Sequence, residues 1–230
     1  MKTAILVDGA FYRKKSEDKL GYVSPDVRAI ELEDYCKKHL SYKTHQSDYL
    51  YKVFYYDCCP TDKKIFHPYL KKVIDYSKSE TFKWMTDFLK LLRNKRKFVL
   101  RLGKLAPKHE KIDYSLSPTV LKKLCNGTKN FSDLTEKDFI LSIEQKGVDI
   151  KIGIDIASLA YKKQVDRIIL ISGDTDFVPA AKLARREGIG FILDPIFNYI
   201  PDDLLEHIDG LRTCTPFIDE KKDSNDDNFG

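Results

Sequence analysis

Short aliphatic runs that stop at acidic turns, alternating with amphipathic segments, predict an α/β fold: a mainly parallel central sheet with helices on both faces. Three observations carry this. Ile168–Ile171 is a run of four aliphatics closed by Ser172-Gly173, which is how a fully buried parallel strand reads. Ala4-Ile5-Leu6-Val7 repeats the pattern and ends at Asp8-Gly9. Phe191-Ile192-Leu193 repeats it again and ends at Asp194-Pro195. Right-handed crossovers bring the C-terminal ends of parallel strands to one edge, where open α/β sheets place their ligands.

In chain order, Ala4–Val7 is the first strand and Phe11–Lys15 leads away from it. Asp26–Leu40 spaces Val27, Ile30, Leu32 and Tyr35 between charges after Ser24-Pro25-Asp26, and predicts a helix. Tyr49–Tyr56 is aromatic and β-branched, hence a strand, and it ends at Asp57. Ile65–Ser77 and Thr81–Leu92 both show helical spacing, and Phe98–Gly103 is a further strand. From Lys104 to Gln145 the periodicity weakens, with short helices expected at 119–125 and 136–144. A connection that long exceeds ordinary loops, so 104–145 reads as a helical insertion or lid. The segment opened by Lys146-Gly147-Val148-Asp149 runs as a helix towards Gln164. Pro179–Arg186 is a helix stopped by Gly188, and a short helix near Asp202–Ile208 completes one domain over residues 1–212. Residues 213–230 are polar and charged for most of their length and read as a disordered tail.

Composition narrows the class. At 42% apolar the 230 residues can build a core, and no apolar run approaches the roughly 18 residues of a membrane span. The apolar part of the N-terminus is too short for a signal peptide, so a cytoplasmic setting is expected. Five cysteines, with no Cys-x-x-Cys pair, suit reduced thiols. The net charge of +5 is uneven: residues 61–130 hold 18 Lys+Arg against 6 Asp+Glu, and the remainder is acidic. Such a split suits a chain that holds a polyanion on one part and a cation on another, although a solvated Lys-rich helical face reads the same way.

Asp8, Asp174 and Asp176 reach the ligand-binding edge by topology alone, and a helix starting near Asp149 can begin there. Asp155, six residues on, is rotated about 120° from Asp149 and so serves better as a cap or support. Crowded carboxylates repel unless a cation neutralises them. All-oxygen donors suit Mg²⁺ or Mn²⁺ rather than Zn²⁺. With the basic segment, this points to metal-dependent cleavage of nucleic acid. No Gly-x-Gly-x-x-Gly or Walker sequence follows a strand, which disfavours nucleotide binding. Ser172-Gly173-Asp174 lacks the glycines of a nucleophile elbow, and no nucleophilic-Asp phosphatase motif is found.

The residues also resemble the NYN domain family of the PIN-like ribonuclease superfamily. The resemblance lies in Ile5-Leu6-Val7-Asp8-Gly9, Tyr55-Tyr56-Asp57 with Pro60, and Arg101–Leu105. It is strongest in Lys146–Asp149 with Asp155 and in Ser172–Pro179, and it spans about residues 3–210. It implies a PIN-like three-layer α/β/α sandwich, an acidic Mg²⁺ (or Mn²⁺) site and hydrolysis of RNA by a metal-activated water. Family acidic positions fall on Asp8, Asp149, Asp174 and Asp176 as catalytic and metal-holding residues, and Asp155 matches a recurrent Asp among the metal positions. Phe11 departs from the pattern, since many members carry Asn there. The expectation is an endoribonuclease whose backbone contacts come from Lys71, Lys72, Arg93, Lys95, Arg96, Lys97, Arg101 and Lys104. RNA is the expected partner, with self-association a further one and membrane none. The alternative is a catalytically inactive RNA-binding or regulatory module of the same fold.

Overall fold

The architecture is organised around β1 (Lys2–Asp8), whose Ala4 to Val7 side chains are wholly buried. The computed structural model describes residues 1–41, 48–108 and 111–217. After β1 come α1 (Gly9–Leu20), α2 (Pro25–Ser41), β2 (Tyr49–Cys58), β3 (Lys64–His67), β4 (Lys72–Asp75), α3 (Glu80–Asn94) and β5 (Phe98–Pro107). Then follow β6 (Tyr114–Leu116), α4 (Pro118–Cys125), β7 (Phe139–Leu141), β8 (Ile143–Lys146) and α5 (Val148–Tyr161). Last among the described residues come β9 (Arg167–Ile171), α6 (Val178–Arg186), β10 (Gly190–Asp194), α7 (Asp202–Leu205) and β11 (Gly210–Leu211).

The fold is α/β with a seven-stranded, mostly parallel sheet in the order β11-β10-β9-β1-β2-β5-β8. β1 pairs in parallel with both neighbours, Val7 facing Ile171 on β9 and Asp8 facing Tyr56 on β2. Burial of both faces explains the unbroken aliphatic runs: Ala4 to Val7 and Ile168 to Ile171 are all wholly buried, so these strands have no solvent face to alternate towards. Among the described residues no helix is long and apolar enough to cross a membrane.

Two compact units are present. The first comprises Met1–Asp57, Asp87–Gly103 and the chain from Gly147 onward. In it α1 was not marked by periodicity, for a physical reason. Its buried residues are Gly9, Tyr12 and Ser16, a narrow stripe with one large side chain. The helix is started instead by Asp8, which accepts from the Phe11 N–H at 3.1 Å. In α2 the buried face runs through Ala29, Leu32, Tyr35, Cys36 and His39, while Val27 and Ile30, whose spacing helped to predict the helix, are exposed. Thr213–Phe217, assigned from sequence to the tail, is packed: Cys214 and Phe217 are buried, and Phe217 stands edge-on to Tyr35 with centroids 5.0 Å apart. The remainder of that tail lies outside the described residues.

The second unit comprises Cys58–Thr86 and Lys104–Lys146. The helix expected at Ile65–Ser77 is instead the β3–β4 hairpin, Ile65 facing Ile74 and His67 facing Lys72. Its burial alternates, with Ile65 and His67 inside and Phe66 exposed, so the period is two rather than 3.6. Likewise 136–144 forms a 3₁₀ turn, β7 and the start of β8 rather than a helix. β7 pairs with β6, and β8 pairs antiparallel with the end of β5. The helix expected at 119–125 is α4, capped by Ser117. A ring cluster of His67, Tyr114 and Phe139 supplies the unit's aromatic packing, His67 lying 4.1 Å from Tyr114 between centroids.

At Gly9 the chain turns from β1 into α1 directly against β2. A Cβ there would meet Asp57 Oδ2 at 2.7 Å and the Tyr55 ring. Gly9→Ala is therefore predicted to destabilise the protein by about 1–3 kcal/mol through overpacking. Denaturant unfolding checks this, and an unchanged midpoint would refute it.

Candidate active site

Register builds the site. Because Asp8 lies opposite Tyr56 and Val7 opposite Ile171, Asp57 and Ser172 come to the same edge as Asp8. The Ser172 hydroxyl, fully buried, donates to Asp8 Oδ2 at 3.4 Å and accepts from the Asp174 N–H at 3.2 Å. The Asp176 N–H in turn donates to Asp174 Oδ1 at 3.0 Å. A hydrogen-bonded chain therefore runs from Asp8 through Ser172 and Asp174 to Asp176. Ser172 was not singled out from sequence, and only its place at the end of a buried strand signalled it. Gly147, at φ 79°, opens α5 in a left-handed conformation that favours glycine, and Asp149 falls in the helix's first turn.

Electrostatics bind the four acids into one group. Burial pushes Asp8 up to about 6, the Phe11 N–H opposes this, and the charges of Asp149, Asp57 and Asp174 add to it. Asp149 is also raised, first by partial burial and then by Asp174 and Asp176. The carboxylates thus feel one another without converging: among the described residues no group of three or more His, Cys, Asp or Glu stands close enough to hold a metal ion.

The neighbouring acids are committed elsewhere. Asp57, 1% exposed, is held by Arg13 Nε at 2.9 Å and Nη2 at 3.1 Å, and accepts from the Tyr55 hydroxyl at 3.0 Å. Asp155 accepts from the Tyr56 hydroxyl at 2.8 Å and from Arg101 Nε at 2.9 Å. Of the basic residues singled out from sequence, Lys95 pairs with Glu33, and Arg101 is spent on Asp155. Lys97 donates to the Leu50 carbonyl at 2.5 Å and lies over the Tyr49 ring. Arg93 and Arg96 are exposed in the first unit; Lys71, Lys72 and Lys104 are exposed in the second.

Gly173 admits two further side chains to the acidic turn. A Cβ there would meet the Phe11 ring at 2.5 Å and the Asn198 amide. Asn198 arrives on the turn after β10, its N–H donating to the Pro195 carbonyl at 2.9 Å.

The segment that carries this geometry has relatives. Residues 114–209 match the NYN domain. The NYN domain is part of the PIN-like nuclease superfamily, so the resemblance read from sequence holds over this stretch. The NYN segment includes Asp149, Asp155, Ser172, Asp174 and Asp176; Asp8 lies outside it and joins through the β1–β9 pairing. Among solved structures, a protein of unknown function from Vibrio parahaemolyticus is similar at a TM-score of 0.46 and 16% identity, covering 94% of each chain. No curated protein matches the chain.

The donor set of the NYN segment and Asp8 is all carboxylate, the chemistry of a hard divalent cation. The raised Asp8 gives a test of the metal-free protein. Its folded value lies above the ordinary 3.8, so ionisation disfavours the fold. The burden is full above about pH 6 and is relieved as pH falls from 6 towards 4. Asp8→Asn keeps an acceptor for the Phe11 N–H and removes the charge. We predict a gain of roughly 2–3 kcal/mol at pH 7 in EDTA, vanishing near pH 4. Thermal melts across pH read it out; parallel curves for the two proteins would contradict the assignment.

Asp57 gives the opposite case. Arg13→Met strands a buried carboxylate and should cost about 3–5 kcal/mol. A melting temperature within error of wild type would show that the pair contributes little.

Proposed function

We propose that this chain is a divalent-metal-dependent endoribonuclease. The observation that carries the reading is the electrostatically linked set Asp8, Asp149, Asp174 and Asp176 at the C-terminal edge of a parallel sheet, three of them within the NYN segment. Like charges held this close destabilise the protein alone and become useful once a cation and a phosphodiester arrive. These four residues would hold Mg²⁺ or Mn²⁺. When bound, such an ion supplies Lewis acidity at a phosphoryl oxygen and lowers the pKa of water.

The chain's own residues supply order. Ser172 ties Asp8 to the Asp174 backbone and so fixes the two acids relative to each other. Arg13 neutralises Asp57 behind the site, leaving Asp8 as the acid whose charge is unpaired at β1. In this reading Asp155 is a positioning residue: with Tyr56 and Arg101 it fixes the rotation of α5, and hence of Asp149, and the metal role expected of it from sequence falls to the other four. Five free cysteines, three of them buried, suit a reducing cytoplasmic setting.

A second reading, an RNA-binding module without chemistry, is favoured by Phe11 and by the absence of a converged acid cluster among the described residues. Incubation of the protein with labelled RNA, with and without Mg²⁺ or Mn²⁺, separates them. Metal-dependent fragments are expected, and Asp174→Asn or Asp149→Asn should lower the rate by at least about 100-fold. RNA binding without turnover would support the second reading. Cleavage indifferent to Asp174→Asn would sink the first.

A further inference from the structure

Beyond the acidic edge, a cavity of about 610 Å³ lies along α6, a volume typical of small-ligand sites. Pro179, Lys182, Leu183 and Arg186 follow i, i+3, i+4, i+7 spacing and so share one face of the helix; Arg185 and His207 complete the lining. No acidic side chain is part of it. Arg185 is fixed, its Nε pairing with Asp209 at 2.9 Å and its Nη1 donating to the Glu206 carbonyl at 2.8 Å. Lys182 and Arg186 are exposed and have no ionic or hydrogen-bonding partner among the described residues. Arg186 alone has an ordinary explanation, since a cation in the last turn of a helix meets exposed carbonyls. Lys182 does not sit there, and a like-charged pair four residues apart is unfavourable to the helix. An anion between the two side chains would offset that repulsion.

We propose that this groove binds backbone phosphates of single-stranded RNA, with Lys182 and Arg186 as the contacting cations, Arg185 as a fixed wall and Leu183 packing against ribose. The choice of RNA rests on the ribonuclease reading above. α6 starts two residues after Asp176, so a strand leaving the acidic turn enters the groove at Pro179. Its nine residues span about 13 Å, enough for more than one phosphate.

The experiment is a fluorescence-anisotropy titration of a labelled single-stranded oligoribonucleotide in EDTA, so that binding is read without cleavage. Lys182→Ala/Arg186→Ala should weaken Kd about tenfold or more, the scale of losing hydrogen bonds to charged groups. It should also reduce the slope of log Kd against log salt by about 1.4, from two phosphate contacts on a single strand. Both side chains are exposed, and a thermal melt confirms that the variant is folded. An unchanged Kd and salt slope would overturn the proposal. Adenosine monophosphate binding as tightly as the oligomer would also overturn it, in favour of a free-nucleotide site. If wild type cleaves RNA with metal while the groove variant binds normally, only the groove fails. If wild type neither binds nor cleaves, the ribonuclease reading fails with it.

Discussion

Everything at the acidic edge follows from β1 being paired in parallel on both sides. Its register to β9 and β2 puts Asp8, Asp57 and Ser172 at one level, and no side chain has to be steered there separately. The same pairing forces the acids into contact with each other's fields. The protein resolves this differently at adjacent positions. Asp57 receives a guanidinium and a phenol and is buried as a satisfied ion pair. Asp8, one strand away, receives an amide and a hydroxyl but, among the described residues, no cation, and its proton is held up to about 6. A fold seeking only stability would pair both. The unpaired member is the one facing Asp149 and Asp174, which is where an external cation would act.

How much of this is legible in sequence depends on which force fixed each element. The buried strands were legible because burial on both faces leaves a four-residue aliphatic run, and a carboxylate just past such a run has nowhere else to go. α5 and α6 were legible through Gly147 and Gly188, whose conformations stop or start a helix. α1 was not, because its buried stripe is Gly9, Tyr12 and Ser16, and capping rather than apolar spacing starts it. The β3–β4 hairpin was misread as a helix because in eight strand residues only the alternation at Ile65, Phe66 and His67 distinguishes the two periods. The acids themselves were visible, but which ones remain unpaired was not. Asp155 and Asp57 differ from Asp8 in having a cation, Arg101 and Arg13, partners 54 and 44 residues distant.

A second buried polar centre sits at the end of β10. Asp194, wholly buried, accepts from the Tyr35 hydroxyl, from Thr213 Oγ1 at 2.7 Å and from the Ile196 N–H at 3.0 Å, and contacts His39 Nε2 at 2.9 Å. Scattered histidines in the sequence gave no hint of this, since His39 and Asp194 are 155 residues apart. By tying the Ile196 amide, Asp194 fixes the turn that holds Ile196 and Phe197 at positive φ, a conformation costly for such side chains. That turn delivers Asn198 to Gly173 beside Asp174. The network therefore acts on the acidic edge from behind, by fixing a strained loop rather than by contributing a charge.

Charge is distributed along α6 in a way that a single helix seldom needs. Acids precede it at Asp174 and Asp176, and cations follow at Lys182, Arg185 and Arg186. Helix electrostatics favour that direction, with negative charge before the amides and positive charge near the carbonyls, so the gradient is stabilising in part. It does not account for Lys182, which lies a turn too early and faces the groove with Arg186 rather than the carbonyls. Within the first unit, Lys95, Lys97 and Arg101 of the central segment are occupied by Glu33, Leu50 and Asp155, while Arg93 and Arg96 stay exposed. Total charge in a segment thus says little about where a polyanion binds. What matters is which cations the fold leaves unpaired, and among the described residues of the first unit Lys182 and Arg186, on the lining of the α6 groove, are two of them.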